Sequence, residues 1–226
     1  MISKRLAAIL LILGPIITVI AAFTGPIDPE IFGDTQAVLG ELAQANTDMA
    51  KISFLILDVG LLMSVIGFRY FVVGMNSNES VSNYSSIGGM LLIIGITVVL
   101  GEQFLYGAAA EAAAIPGGAG MGTAAAMWAG GLALGAGGTA VLFAGYALIG
   151  IAAFLSGAFN KILAILLAIA GIIGVVGPVS GNYTEQYIMI IILTTSISLI
   201  TYHYFVRNTF IGILLNGKKS KEQIGV

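Results

Sequence analysis

Residues 87–106 read IGGMLLIIGITVVLGEQFLY, and this stretch decides the fold class of the chain. No charge occurs before Glu102 in it. A helix needs about 20 predominantly apolar residues to cross a bilayer. Continuous hydrophobicity of this length distinguishes a membrane span from a buried helix of a soluble protein. The stretch therefore predicts a transmembrane helix.

Other apolar stretches of similar length occur on both sides of it. They are residues 6–23, 52–73, 128–150, 162–179 and 187–206. Hydrophobic residues make up 58% of the chain and charged residues 9%, against roughly a quarter charged in soluble domains. Too little polar surface remains to face water. We predict an all-α polytopic membrane protein, with six transmembrane helices in one domain, residues 1–226, arranged as three hairpins.

The basic residues predict which way round the chain lies in the membrane. If the N-terminus is inside, Lys51 is the single basic residue on the outer side. Cytoplasmic loops carry an excess of Lys and Arg, so we expect both termini in the cytoplasm of a cell-membrane protein, with residues 216–226 as a basic cytoplasmic tail. The inner side then holds Lys4, Arg5, Arg69, Lys161, Arg207, Lys218, Lys219 and Lys221.

Two loops on the outer side have distinct compositions. In residues 26–49, Val38, Leu39 and Leu42 recur at helical spacing, which predicts an amphipathic helix lying on the outer membrane face. A cap over the bundle or a contact with a partner would produce the same pattern. In the second loop, alanines continue the third helix to about residue 114, and the proline and glycines of residues 116–118 end it.

Composition excludes several classes of chemistry. The chain has no cysteine, and His203 is its single histidine. Disulfides, thiolate nucleophiles, iron–sulfur clusters and bis-histidine haem are therefore excluded, and a catalytic zinc site is not expected. The net charge of −2 gives no reason to expect nucleic acid as a partner. We predict no catalytic residues, no cofactor and no metal site, and hence no enzyme.

Two carboxylates inside predicted spans are the candidate functional residues. Ionisable groups in the bilayer are costly and usually face protein or water. Asp58 lies seven residues after Lys51, or ~10 Å along a helix, and Glu102 occupies a similar depth in the next span. If the two helices touch, these carboxylates form a candidate proton or cation site. In the alternative interpretation, Glu102 lies at the wet interface and Asp58 hydrogen-bonds to a neighbouring helix.

Small residues in the fourth and fifth spans predict close helix packing. Gly131 and Gly135 form a small-xxx-small pattern that lets helix backbones approach. Gly171 and Gly174 mark a second such surface in the fifth span. These surfaces are expected to meet other helices of the chain or a partner subunit.

Function follows by elimination. The first hypothesis is a non-catalytic accessory or structural subunit that packs in the lipid bilayer against other membrane subunits or itself. The alternative is a small proton- or cation-coupled carrier or channel that uses Asp58 and Glu102. An enzyme acting on lipid has the least support, because the sequence offers no catalytic constellation.

Overall fold

The computed structural model describes residues 4–74, 79–157 and 160–180, and the regular structure in these ranges is helical. The α-helices are α1 (Lys4–Thr24), α2 (Thr35–Gln44), α3 (Thr47–Gly74), α4 (Glu79–Ala113), α5 (Met121–Ser156) and α6 (Lys161–Ser180). Short 3-10 turns at Pro29–Ile31 and Pro116–Gly118 precede α2 and α5. For this part of the chain, the prediction of an all-α fold is confirmed.

Four helices are long and apolar enough to cross a membrane, and they lie in α1, α3, α4 and α5. Each contains one of the first four predicted spans. The predicted span 162–179 falls within α6, an apolar helix of 20 residues. The predicted span 187–206, His203 and the tail 216–226 lie outside the described residues.

The membrane-length helices are neighbours in space in the order of the chain. Helix α1 packs along α3, α3 along α4, α4 along α5, and α5 along α6. The contact between α4 and α5 is the most extensive of these. In the described part of the chain, the helices therefore form a row with α1 and α6 at its two ends.

Glycine pairs bring the backbones of adjacent helices together within this row. A Cβ atom added to Gly14 of α1 would lie 2.7 Å from the carbonyl oxygen of Gly60 in α3, and one added to Gly60 would lie 2.8 Å from that of Gly14. Gly88 of α4 and Gly145 of α5 face each other in the same reciprocal way, at 2.9 and 2.8 Å. Side chains at these positions would force the helices apart.

Helices α4 and α5 are much longer than a membrane requires. They contain 35 and 36 residues, which corresponds to roughly 50 Å at 1.5 Å per residue, against a hydrocarbon core of about 30 Å. Alanine-rich sequence, the best helix former, extends both helices beyond the predicted spans 87–106 and 128–150. The α4–α5 hairpin is therefore longer than a hydrocarbon core is thick, and we call the end with residues 113–121 the cap end.

The segment before α3 covers the cap end of the α4–α5 hairpin. Helix α2 begins at the N-cap Asp34, whose side chain accepts hydrogen bonds from the backbone N–H groups of Gln36 and Ala37. The apolar residues Val38, Leu39 and Leu42 are fully buried and pack in one cluster with residues of α4 and α5. Of the roles that the sequence leaves open for residues 26–49, the geometry is that of a cap, because the apolar face of α2 is turned to protein and not to lipid.

Candidate functional site

Asp58 occupies a core position of α3. The buried face of this helix near the cap end runs through Ala50, Phe54, Asp58 and Val65, a spacing that places all four on one side of a helix. The Asp58 side chain is 3% exposed, so a carboxylate stands where the pattern calls for an apolar residue. A buried ionisable group of this kind is the usual mark of a functional position in a membrane protein.

One oxygen of this carboxylate has no hydrogen-bond partner. Among the residues that the structure describes, none donates to Oδ1 of Asp58, although the atom is buried. Burying a charged or polar oxygen without a partner is unfavourable, and taking up a proton or a cation relieves that cost. The open lone pairs therefore make Asp58 a natural acceptor for a positively charged ligand.

A cavity of about 420 Å³ adjoins Asp58 between α3 and α4. Its polar side chains at the level of Asp58 include Gln103 of α4, which is also buried. Toward the cap end, Lys51 and Glu111 line the cavity and form an exposed ion pair across the two helices. The remaining lining residues are Ile52, Phe54, Leu55, Phe104, Gly107 and Ala108.

Glu102 directly precedes the cavity-lining Gln103 but faces the other neighbour of α4. It is turned toward α5, where its carboxylate contacts Gly135. Gln103, and not Glu102, lines the cavity together with Asp58. The two predicted site residues thus point into different helix interfaces.

Tyr106 completes the environment of Glu102. Its hydroxyl donates a hydrogen bond of 2.7 Å to Oε1 of Glu102, one helical turn away. Its ring stacks on Trp128 of α5, with centroids 4.1 Å apart, and meets Phe32 edge-on. Tyr106 and Trp128 are both fully buried, so aromatic packing in the cap holds the hydroxyl in place. Sequence reasoning missed Tyr106, although its i+4 spacing from Glu102 was a usable signal.

The four glycines proposed as packing residues are buried and lie against neighbouring helices. A Cβ atom at Gly131 would overlap the Tyr106 ring, and one at Gly135 would overlap the Glu102 carboxylate. In α6, Gly171 contacts the backbone of Ala147, and Gly174 contacts the Phe143 ring. All four contacts lie within the chain. Gly131 and Gly135 of α5 also leave room for the side chains of Tyr106 and Glu102.

The described residues limit what the site can bind. In the ranges that the structure covers, no group of three or more His, Cys, Asp or Glu side chains is arranged to hold a metal ion. Asp58 and Glu102 point into different helix interfaces, so the two carboxylates do not combine as ligands of one calcium or magnesium ion, which takes six or more oxygens.

Comparison with protein-family models, curated proteins and solved structures gives no match to this chain. The functional assignment therefore depends on the geometry around Asp58.

Proposed function

We propose that this chain is a small carrier for protons or cations, with Asp58 as the binding carboxylate and Glu102 as a second acid beside it. The observation that carries the proposal is the buried side chain of Asp58 in the lining of a cavity, with its Oδ1 left without a hydrogen-bond partner. A purely structural helix would hold an apolar residue at this position, since burying an ionisable group in a membrane is costly.

The proposed setting is a cell membrane, with six spans and both termini in the cytoplasm. Four membrane-length helices in the described residues supply the first spans. Helix α6 has the composition and the length of a fifth. The apolar stretch 187–206 is proposed as the sixth, and the distribution of lysine and arginine supports the orientation.

An accessory subunit is the second candidate, and one observation favours it. The small residues Ala126, Ala129, Ala133 and Gly137 are exposed on α5, and exposed small residues suit close packing against another membrane helix. Against this, the buried glycines from which the subunit hypothesis started make contacts within the chain. Under this hypothesis a partner protein should co-purify in mild detergent, and a cysteine at residue 133 should cross-link to it.

The carrier hypothesis is tested with purified protein in liposomes. An imposed proton, sodium or potassium gradient is applied, and uptake is followed with an ion-sensitive dye. Asp58→Asn should abolish uptake, because the amide keeps the shape of the side chain but holds no charge. The matched control is Asp48→Asn, in the exposed first turn of the same helix, and it should transport normally.

Glu102→Gln with the control Glu30→Gln tests the second carboxylate. Glu102 directly precedes the cavity-lining Gln103, whereas Glu30 is exposed and lies outside the cavity lining. We expect the first substitution to slow uptake and the second to leave it unchanged. Full uptake by Asp58→Asn in correctly assembled protein would exclude the carrier function proposed here.

A further inference from the structure

The cavity beside Asp58 is built mainly from apolar side chains. Phe54, Leu55 and Phe104 form its apolar walls. Away from the cap end, the polar groups in its lining are Asp58 and Gln103. Its volume of about 420 Å³ falls within the range of small-molecule sites, roughly 300–1,000 Å³. An apolar pocket with a few convergent polar groups is the usual construction of a site for an organic ligand.

This cavity is poorly suited to a bare inorganic cation. A metal cation stripped of water is held by a shell of oxygens, about six to eight for calcium and a ring of carbonyls for potassium. Asp58 offers two side-chain oxygens and Gln103 one, and the walls between them are hydrocarbon. The space is also far larger than one ion, so an inorganic cation would have to remain hydrated against apolar side chains.

An organic cation avoids both difficulties. We infer that the cavity binds an amphiphilic organic cation, whose charge pairs with Asp58 and whose apolar body lies against the phenylalanine and leucine walls. The inference rests on the proposed function, because it takes the Asp58 carboxylate to be the cation site. The faces of Phe54 and Phe104 are also favourable surfaces for a positive group. Lys51, the cation already in the cavity, is paired with Glu111, so its charge is compensated.

The ligand can reach this cavity from the lipid. Phe104 is 67% exposed, and Ile52 and Leu55 beside it are also exposed. In a membrane-spanning segment, such exposed apolar side chains face hydrocarbon. An amphiphilic cation that has dissolved in the bilayer meets the cavity at these residues. It therefore does not need to pass the Lys51–Glu111 ion pair at the cap end.

The first test uses two probes of one shape and opposite charge. Binding of tetraphenylphosphonium and tetraphenylborate to the purified full-length protein is measured by equilibrium dialysis. We expect saturable binding of the phosphonium only, weakened by at least about 30-fold in Asp58→Asn, because a buried charge then loses its partner. Asp48→Asn should bind like the unsubstituted protein. Equal binding of both probes, or unchanged phosphonium binding by Asp58→Asn, would overturn the inference.

The second test locates the probe. Because the chain has no cysteine, Ala108→Cys places a single thiol at the cavity, and Thr123→Cys places one in the exposed first turn of α5 at the cap end. The phosphonium should protect residue 108 from a maleimide and leave residue 123 reactive. Protection of both thiols or of neither would contradict binding in the cavity.

Failure of this inference is distinguishable from failure of the carrier function. If Asp58-dependent uptake of protons or sodium persists while the phosphonium does not bind, the organic-cation site is wrong and the carrier stands. If neither uptake nor probe binding depends on Asp58, both are wrong.

Discussion

The carboxylate of Glu102 lies directly against Gly135, at the position where any other residue would place its Cβ atom. The same face of α5 leaves room one turn earlier, at Gly131, for the ring of Tyr106. The hydrogen bond between Tyr106 and Glu102 is therefore accommodated by two missing side chains on the opposite helix. Small residues in this chain leave room for polar side chains as well as for close contacts between helix backbones.

Gly135→Ala should destabilise the protein and disturb the site. The added methyl group would overlap the Glu102 carboxylate, and overpacking of this kind costs about 1–3 kcal/mol. Thermal unfolding in detergent can be followed by the fluorescence of Trp128, the single tryptophan of the chain. The control is Gly137→Ala, where a Cβ atom meets no neighbour and alanine favours the helix by up to about 1 kcal/mol. Equal effects of the two substitutions would contradict this packing.

Tyr106→Phe should weaken the environment of Glu102 without emptying the aromatic cluster. It removes the hydroxyl that donates to Glu102 and keeps the ring stacked on Trp128. Leaving a buried acceptor without its donor costs about 1–3 kcal/mol, so we expect a lower unfolding temperature. The exposed Tyr84 supplies a matched control, Tyr84→Phe, whose unfolding should be unchanged within about 0.5 kcal/mol.

Leu42→Ala tests whether α2 caps the bundle. Leu42 is fully buried against the α4–α5 hairpin, so its truncation should cost about 2–5 kcal/mol. The exposed neighbour Gln44 provides the comparison, since Gln44→Ala should cost less than about 0.5 kcal/mol. Unfolding and protease sensitivity of the cap are the measurements. If α2 lay on the lipid surface instead, Leu42→Ala would leave the stability of the bundle unaltered.

The Lys51–Glu111 ion pair should contribute little to stability. Both side chains are about half exposed, and exposed pairs contribute about 0.2–1 kcal/mol. A double-mutant cycle with Lys51→Met and Glu111→Gln should return a coupling energy in that range, and one that falls as salt is added. A coupling of several kcal/mol would mean that the pair is desolvated, and would place this end of the cavity deeper in the membrane.

The proposed orientation predicts which chain positions an impermeant reagent reaches. In intact cells a tag after Val226 should be protected, and a single cysteine at Thr123, in the exposed first turn of α5 at the cap end, should be labelled. Permeabilising the cells should expose the tag. Labelling of the tag in intact cells would require an odd number of spans or the opposite orientation.

Much of the fold follows from one-dimensional pattern alone. The first four spans are helices as their hydrophobic length predicts, and α4 ends at Ala113, just before the proline and glycines of residues 116–118. The alanines after residue 107 also predicted that α4 continues past its apolar stretch, whereas the predicted span 128–150 did not indicate that α5 extends from Met121 to Ser156. A hydropathy pattern shows where a helix is apolar, whereas helix propensity and capping determine where the helix ends.

The site was predicted in outline only. Depth along a helix, counted at 1.5 Å per residue, predicted that Asp58 and Glu102 lie at one level. Rotation about the helix axis was beyond such counting. That rotation turns Glu102 toward α5, so that Gln103 lines the cavity together with Asp58. It also brings the Tyr106 hydroxyl within hydrogen-bonding distance of the Glu102 carboxylate.

By itself, the sequence determined that the chain is apolar enough for a lipid environment, that it is helical and that its ionisable groups are few. These properties depend on composition and on the spacing of residues along one helix. Only the tertiary structure decided that Asp58 borders a cavity with an oxygen unpaired, that α2 caps the bundle, and that Gly135 shelters Glu102. The physical reason is that these relationships join different helices. Which faces meet is settled by the fit of side chains across an interface, and no periodicity within one helix records it.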